Sequence, residues 1–210
     1  MNATGYDCSG MNHWHRLFIL WVILATRTLS GQPVAVAIQP LGKVDAELLQ
    51  SAAHHIEEMF TTSVVILPAR PLPDQAFYAP RRRYRAEKLL DWLDANTPAQ
   101  YQKVIGITAR DISTSKDQFA DWGIFGLAYL SRRPAVVSTF RLGRNGAIPA
   151  LRKRRLSEVA VHELGHTIGL EHCPTPHCIM EDAKGTIRSV DESSGRFCAL
   201  CSKRLGAVLR

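Results

Sequence analysis

Between Val161 and Cys201 the chain reads VHELGHTIGLEHCPTPHCIMEDAKGTIRSVDESSGRFCALC, and this stretch restricts what the remainder can fold into. His162 and His166 stand four positions apart. On a helix, such positions share a face about 5–6 Å apart, so both imidazoles can reach one metal ion. Glu163, next to His162, projects to the side of that face. Gly169 lets the backbone leave the helix at positive φ, which costs any residue with a Cβ, and the turn brings His172 back as a third ligand. Three neutral imidazoles leave the fourth position of a tetrahedral ion open for water, which is how a catalytic zinc is held. A bare His-Glu-x-x-His also occurs as a helix with two surface histidines and a solvated glutamate; the added Gly169 and His172 make the longer pattern much rarer.

The chain has five cysteines, and four of them, Cys173, Cys178, Cys198 and Cys201, fall in this same stretch at metal-ligand spacing, with Cys8 far away. The cluster reads as a second zinc site. Two disulfides are the other reading if the protein is exported, and His177, just before Cys178, could in principle replace a sulfur ligand.

His-Glu-x-x-His-x-x-Gly-x-x-His followed by a methionine, Met180, is similar to the metzincin signature. With the four cysteines it resembles the archaemetzincin (archaelysin) family, a catalytic motif joined to a four-cysteine zinc site. Every motif position is matched between Val161 and Cys201. The segment FGLAYLSRRPAVVSTFRL also looks like the family's chain ahead of its active-site helix, so the resemblance extends over residues 32–210. It implies a zinc metallopeptidase with His162, His166 and His172 on the catalytic zinc and Glu163 as general base and then acid. It further implies a structural zinc on the four cysteines and Met180 packed under the histidines. Many metzincins place a tyrosine shortly after this methionine; none occurs between Met180 and Cys201, which leaves Tyr129 or no side chain for that role.

The implied fold is α/β (α+β) and metzincin-like. A mixed twisted sheet with helices makes an upper lobe over residues 32–170, including the active-site helix. A small zinc-stapled lobe follows over 171–210. Read along the chain, PVAVAIQ (33–39) is a strand and 44–60 a helix with an apolar stripe. Residues 63–67 form a buried strand, 68–80 a proline-rich connection, 81–94 a helix and 103–108 a third strand. Residues 111–121 are polar and read as a loop; 123–130 and 135–140 read as two strands. The first of these two is the expected edge strand above the cleft, where an extended peptide could add by backbone hydrogen bonds. The active-site helix starts near Ala147 and runs to Leu170, packing Leu156, Val159, Ala160, Leu164 and Ile168, and a short helix ends the chain.

Residues 1–31 hold one apolar run, Leu17–Ala25. That is too short to cross a bilayer, which takes about 20 residues, but it suits the centre of a signal peptide, with Ser30 and Gly31 as a cleavage site. A misassigned start would produce a similar leader. Export to the periplasm or exterior is expected if the leader is real, and a cytoplasmic location otherwise. The net charge of +7 and pI near 9.4 come largely from Arg81–Arg85 and Arg152–Arg155. Each run opens an expected helix and reads as a solvated face. No cluster of stacking aromatics accompanies them, so a nucleic-acid partner is not expected. A peptide or protein substrate, two zinc ions and a monomer are expected. Endopeptidase and aminopeptidase action both stay open, as does a catalytically idle zinc-binding module on the same scaffold.

Overall fold

Val36, Ile38, Ile105, Ile107, Ala135 and Val137 belong to one buried cluster, while Ala37, Val104 and Val136 belong to another. This alternation along three neighbouring strands is what a sheet covered on both faces produces. In the computed structural model, which describes residue 1 and residues 34–208, the strands are β1 (Val36–Leu41), β2 (Val64–Ile66), β5 (Lys103–Thr108) and β9 (Pro134–Ser138), joined by β8 (Gly126–Ala128). Their order is β2-β1-β5-β9-β8, parallel throughout except that β8 runs antiparallel to β9 at the edge. Helices α1 (Ala46–Phe60) and α4 (Pro149–Thr167) cover one face, and α2 (Ala86–Asn96) the other. Mixed helices and sheets are thus the fold, as expected.

A second, four-stranded sheet has the order β3 (Phe77–Tyr78), β4 (Arg83–Arg85), β6 (Ile112–Lys116) and β7 (Phe119–Ile124). Two expectations fail here. The helix read from Arg81 begins only at Ala86, because Arg83–Arg85 pairs as β4. The presumed loop 111–121 is mostly the β6–β7 hairpin. Its register is tied by charge: Arg83 Nε lies 2.9 Å from Asp111, its Nη1 2.9 Å from Asp121, and Arg141 Nε 2.7 Å from Asp111. The expected strand 123–130 is split between β7 and β8. Residues 63–67 were expected to be buried, but β2 is an edge strand whose Val65 is exposed.

The basic runs are not simply solvated. Arg155 is buried and donates from Nε and Nη2 to the two Asp191 oxygens at 2.7 Å each, with Nη1 on the Leu142 carbonyl. That pair fastens α4 to α5 (Ile187–Asp191), in a segment after Thr167 that contains no strand. The short α3 (Thr139–Leu142) follows β9 directly, and the last described element is α6 (Ala199–Val208). Among the described residues no helix is long and apolar enough to cross a membrane. The expected leader, residues 1–31, lies outside the described residues except for Met1.

Candidate active site

Helix α4 presents His162 and His166 on one face, and its end is built to return the chain. Gly169 has φ +100; its N–H bonds the His166 carbonyl and the Leu170 N–H bonds that of Gly165. These two bonds are a Schellman ending, which needs a left-handed residue at this point. The turn is held from the sheet side as well, by Ser131 N–H on the His166 carbonyl and by Lys103 Nζ on that of Thr167. His172 then stands opposite the helix, its ring centroid 5.4 Å from that of His162 and 4.8 Å from that of His166.

The hydrogen bonds decide the tautomers. Nδ1 of His162 donates to the Ile179 carbonyl and Nδ1 of His166 to the Leu170 carbonyl, both at 2.7 Å. A carbonyl only accepts, so each neutral ring keeps its proton on Nδ1 and offers a lone pair at Nε2. Those two Nε2 atoms face each other at 3.0 Å. Protonation does not relieve the clash near neutral pH: burial, with the neighbouring His166 ring, pushes His162 down to about 3, and burial also lowers His166. A shared cation does relieve it. A tetrahedral ion at ~2.0–2.1 Å from each nitrogen spaces them ~3.3 Å apart, close to what is seen. The nearest nitrogens of the three histidines all lie within 4.8 Å of one another.

Glu163 is buried on α4 against the edge strand. A Cβ placed on Gly126 of β8 would stand 2.6 Å from Glu163 Oε1, so the carboxyl occupies the room that glycine leaves. Burial pushes its pKa up to about 8. Met180 is fully buried, and its sulfur occupies the room left by Gly165 of α4, 2.6 Å from where a Cβ would be.

The four cysteines converge on one point, with no disulfide among them. Sγ of Cys173 lies 3.7 Å from that of Cys198, and Sγ of Cys178 3.8 Å from that of Cys201. Thiolates at ~2.3 Å from a tetrahedral zinc sit ~3.8 Å apart. Backbone N–H groups of Thr175 and Cys198 donate to Cys173 and Cys178 sulfur, as they do to ligating thiolates. The thiols pull apart in acidity, with Cys198 held down to about 6, chiefly by the Cys201 N–H, and Cys201 and Cys178 pushed up by burial. A central cation lets all of them ionise together. His177 stays out of the set, its Nδ1 donating to the Glu192 carbonyl.

The sequence model of Peptidase family M54 matches residues 51–207. The chain belongs to that family. Archaemetzincin of Haloquadratum walsbyi is 33% identical over 177 residues, covering 81% of this chain and 98% of its own. The crystal structure of archaemetzincin from Methanopyrus kandleri superposes with a TM-score of 0.74 at 30% identity, covering 89% of this chain and 99% of that one. That from Archaeoglobus fulgidus, complexed with malonate, gives 0.69 at 30% identity, over 81% and 99%. As an M54 peptidase this chain is a zinc metallopeptidase acting on peptides.

Around the histidines the metallopeptidase has a cleft of about 730 Å³, walled above by β7 and β8 and below by residues 181–193. The two walls approach where Trp122 meets Gly185, at which a Cβ would lie 3.2 Å from the indole. Tyr129 does not line it. Leu127 and Tyr129 pack with the α2 cluster on the far face of the sheet, whereas Ala128 faces the site, so Tyr129 is on the wrong side to serve as the missing tyrosine. Residues that the sequence did not single out do line the cleft, among them Lys116, Trp122, Glu158, Glu181 and Asp182. Of these only Glu158 had an available signal: it precedes His162 by one helical turn.

Proposed function

We propose that His162, His166 and His172 hold the catalytic zinc and that Glu163 is the group that moves the proton. The observation that carries this reading is the pair of Nε2 lone pairs facing each other at 3.0 Å, each fixed by a carbonyl on Nδ1. When bound there, zinc lowers the pKa of water toward 7 and polarises the scissile carbonyl. Glu163 starts from a buried position whose ordinary charge is disfavoured, which suits a group that must take a proton and then release it to the leaving amine. A cation held by the three histidines would act in the opposite sense to burial and draw the carboxyl back toward ionisation. Gly126, with no side chain, keeps this carboxyl beside the edge of β8. An extended peptide pairing with β8 would carry its carbonyl past both groups.

The four cysteines hold a second, structural ion in the same proposal, making two zincs per chain. Spacing of the sulfurs near 3.8 Å and the absence of disulfides support it. The test is metal analysis together with Glu163→Gln. Purified protein should carry two zincs, and the variant should keep both while peptide cleavage falls by at least about 10²-fold. Full cleavage by the variant would refute the proton-transfer role, and one zinc that survives Cys198→Ser would refute the second site.

A further inference from the structure

The protein carries a net charge of +7, yet its cleft is acidic. Apart from Glu163, the cleft is lined by Glu158, Glu171, Glu181 and Asp182 against a single lysine, Lys116, whose ammonium is held over the Trp122 ring. Three of those carboxylates stand on exposed or half-exposed ground, and a rim of acids alone says little. Glu158 is different. It is only 5% exposed, on the α4 face one turn before His162, and its Oε2 has no hydrogen-bond partner. Its other oxygen meets Arg154 at a long 3.4 Å, the Ser193 side chain comes within hydrogen-bonding reach of the carboxyl, and the Asp191 charge acts against its ionisation. Burying a carboxylate with one oxygen unmatched is costly unless a cation completes it.

The cleft that Glu158 shares with the histidines is also lined by apolar side chains, Val159 on α4, Ile179 and Val190. An aliphatic stem with a charge at its tip fits such a cleft, because the stem is buried against apolar walls while the tip pairs with the carboxylate. We propose that Glu158 is a specificity-determining residue that selects a lysine or arginine side chain next to the scissile bond. The inference rests on the proposed metallopeptidase site and adds to it the class of substrate.

The test separates the two. Peptides differing only in lysine or norleucine beside the cleaved bond are titrated calorimetrically into zinc-loaded Glu163→Gln protein, and turned over by the wild type. The lysine peptide should bind and react at least tenfold better. Glu158→Gln, alone for turnover and combined with Glu163→Gln for binding, should bring that ratio near one while zinc content and circular dichroism stay as they were. A ratio near one in the wild type, or one that Glu158→Gln leaves intact, would overturn the proposal. Preferential binding that depends on Glu158, with no turnover by the wild type, would uphold it and refute the proton-transfer reading instead. The same peptides with acetylated N-termini distinguish the other ammonium a peptide can offer. A preference that follows the free α-amine and not the lysine would also overturn the assignment.

Discussion

Nδ1 of His162 lies 2.7 Å from the carbonyl oxygen of Ile179, and Ile179 sits between Cys178 and Met180. Three successive residues therefore serve two sites. Cys178 joins the sulfur cluster, the Ile179 carbonyl orients the His162 imidazole, and Met180 fills the space beside Gly165. The Met180 carbonyl also accepts from the N–H of Cys173, which follows His172 directly. Losing the sulfur cluster should thus be felt at the histidines.

Cys178→Ser is expected to lose the structural ion and to lower kcat/KM by about 10–100-fold, the usual cost of disturbing a group that orients a metal ligand. Metal analysis and turnover on one peptide check it. A variant that loses one zinc but keeps full activity would show the two sites to be uncoupled.

Gly126→Ala should leave both metals in place and still remove most activity. The new Cβ would stand 2.6, 2.7 and 2.8 Å from Oε1, Cγ and Cδ of Glu163, closer than side-chain atoms pack, so the carboxyl must move. Displacing a general acid–base group costs about 10²–10⁴-fold in rate. The measurement is kcat alongside zinc content and thermal unfolding; a kcat within about threefold of wild type would mean the base has room to adapt.

Stability should carry a signature of Glu158. Burial raises its pKa from an ordinary 4.5 to about 7, with Arg154 pulling the other way. Between these values the folded protein keeps a proton that the unfolded chain has released. The associated stability is therefore complete below about pH 4.5 and disappears as pH rises through about 7. Urea unfolding of the wild type should weaken relative to Glu158→Gln across that window. Parallel curves would place the carboxyl in contact with water.

Much of this was legible in the sequence, for reasons visible in particular residues. Strand β5 has the expected bounds because KVIGIT is apolar and short, and α1 ends at Phe60 as its stripe ends. The convergence of His162, His166 and His172 was legible too, since His-x-x-x-His and Gly169 depend on local helix and turn stereochemistry alone. The β6–β7 hairpin was not legible. Its residues are polar, and what holds it is Arg83 and Arg141, distant in sequence from Asp111 and Asp121 or separated from them by other elements. Arg155 looked like part of a solvated helix face, and Glu158 drew no notice, because the residues that cover them, Asp191 and Ser193, come from a segment with no strand or long helix to announce it. Tyr129 was misplaced because a three-residue strand opening on glycine gives too little alternation to say which face is inward.

Because the carboxyl of Glu163 uses the room that Gly126 leaves, its proposed role in proton transfer would make the histidine motif by itself an incomplete label for a working enzyme. A related chain could keep every histidine, every cysteine and the glutamate, carry a side chain at the place of Gly126, load its metals normally and leave peptides intact. Sorting active copies from silent ones would then turn on an unremarked position of the edge strand, well before the motif begins.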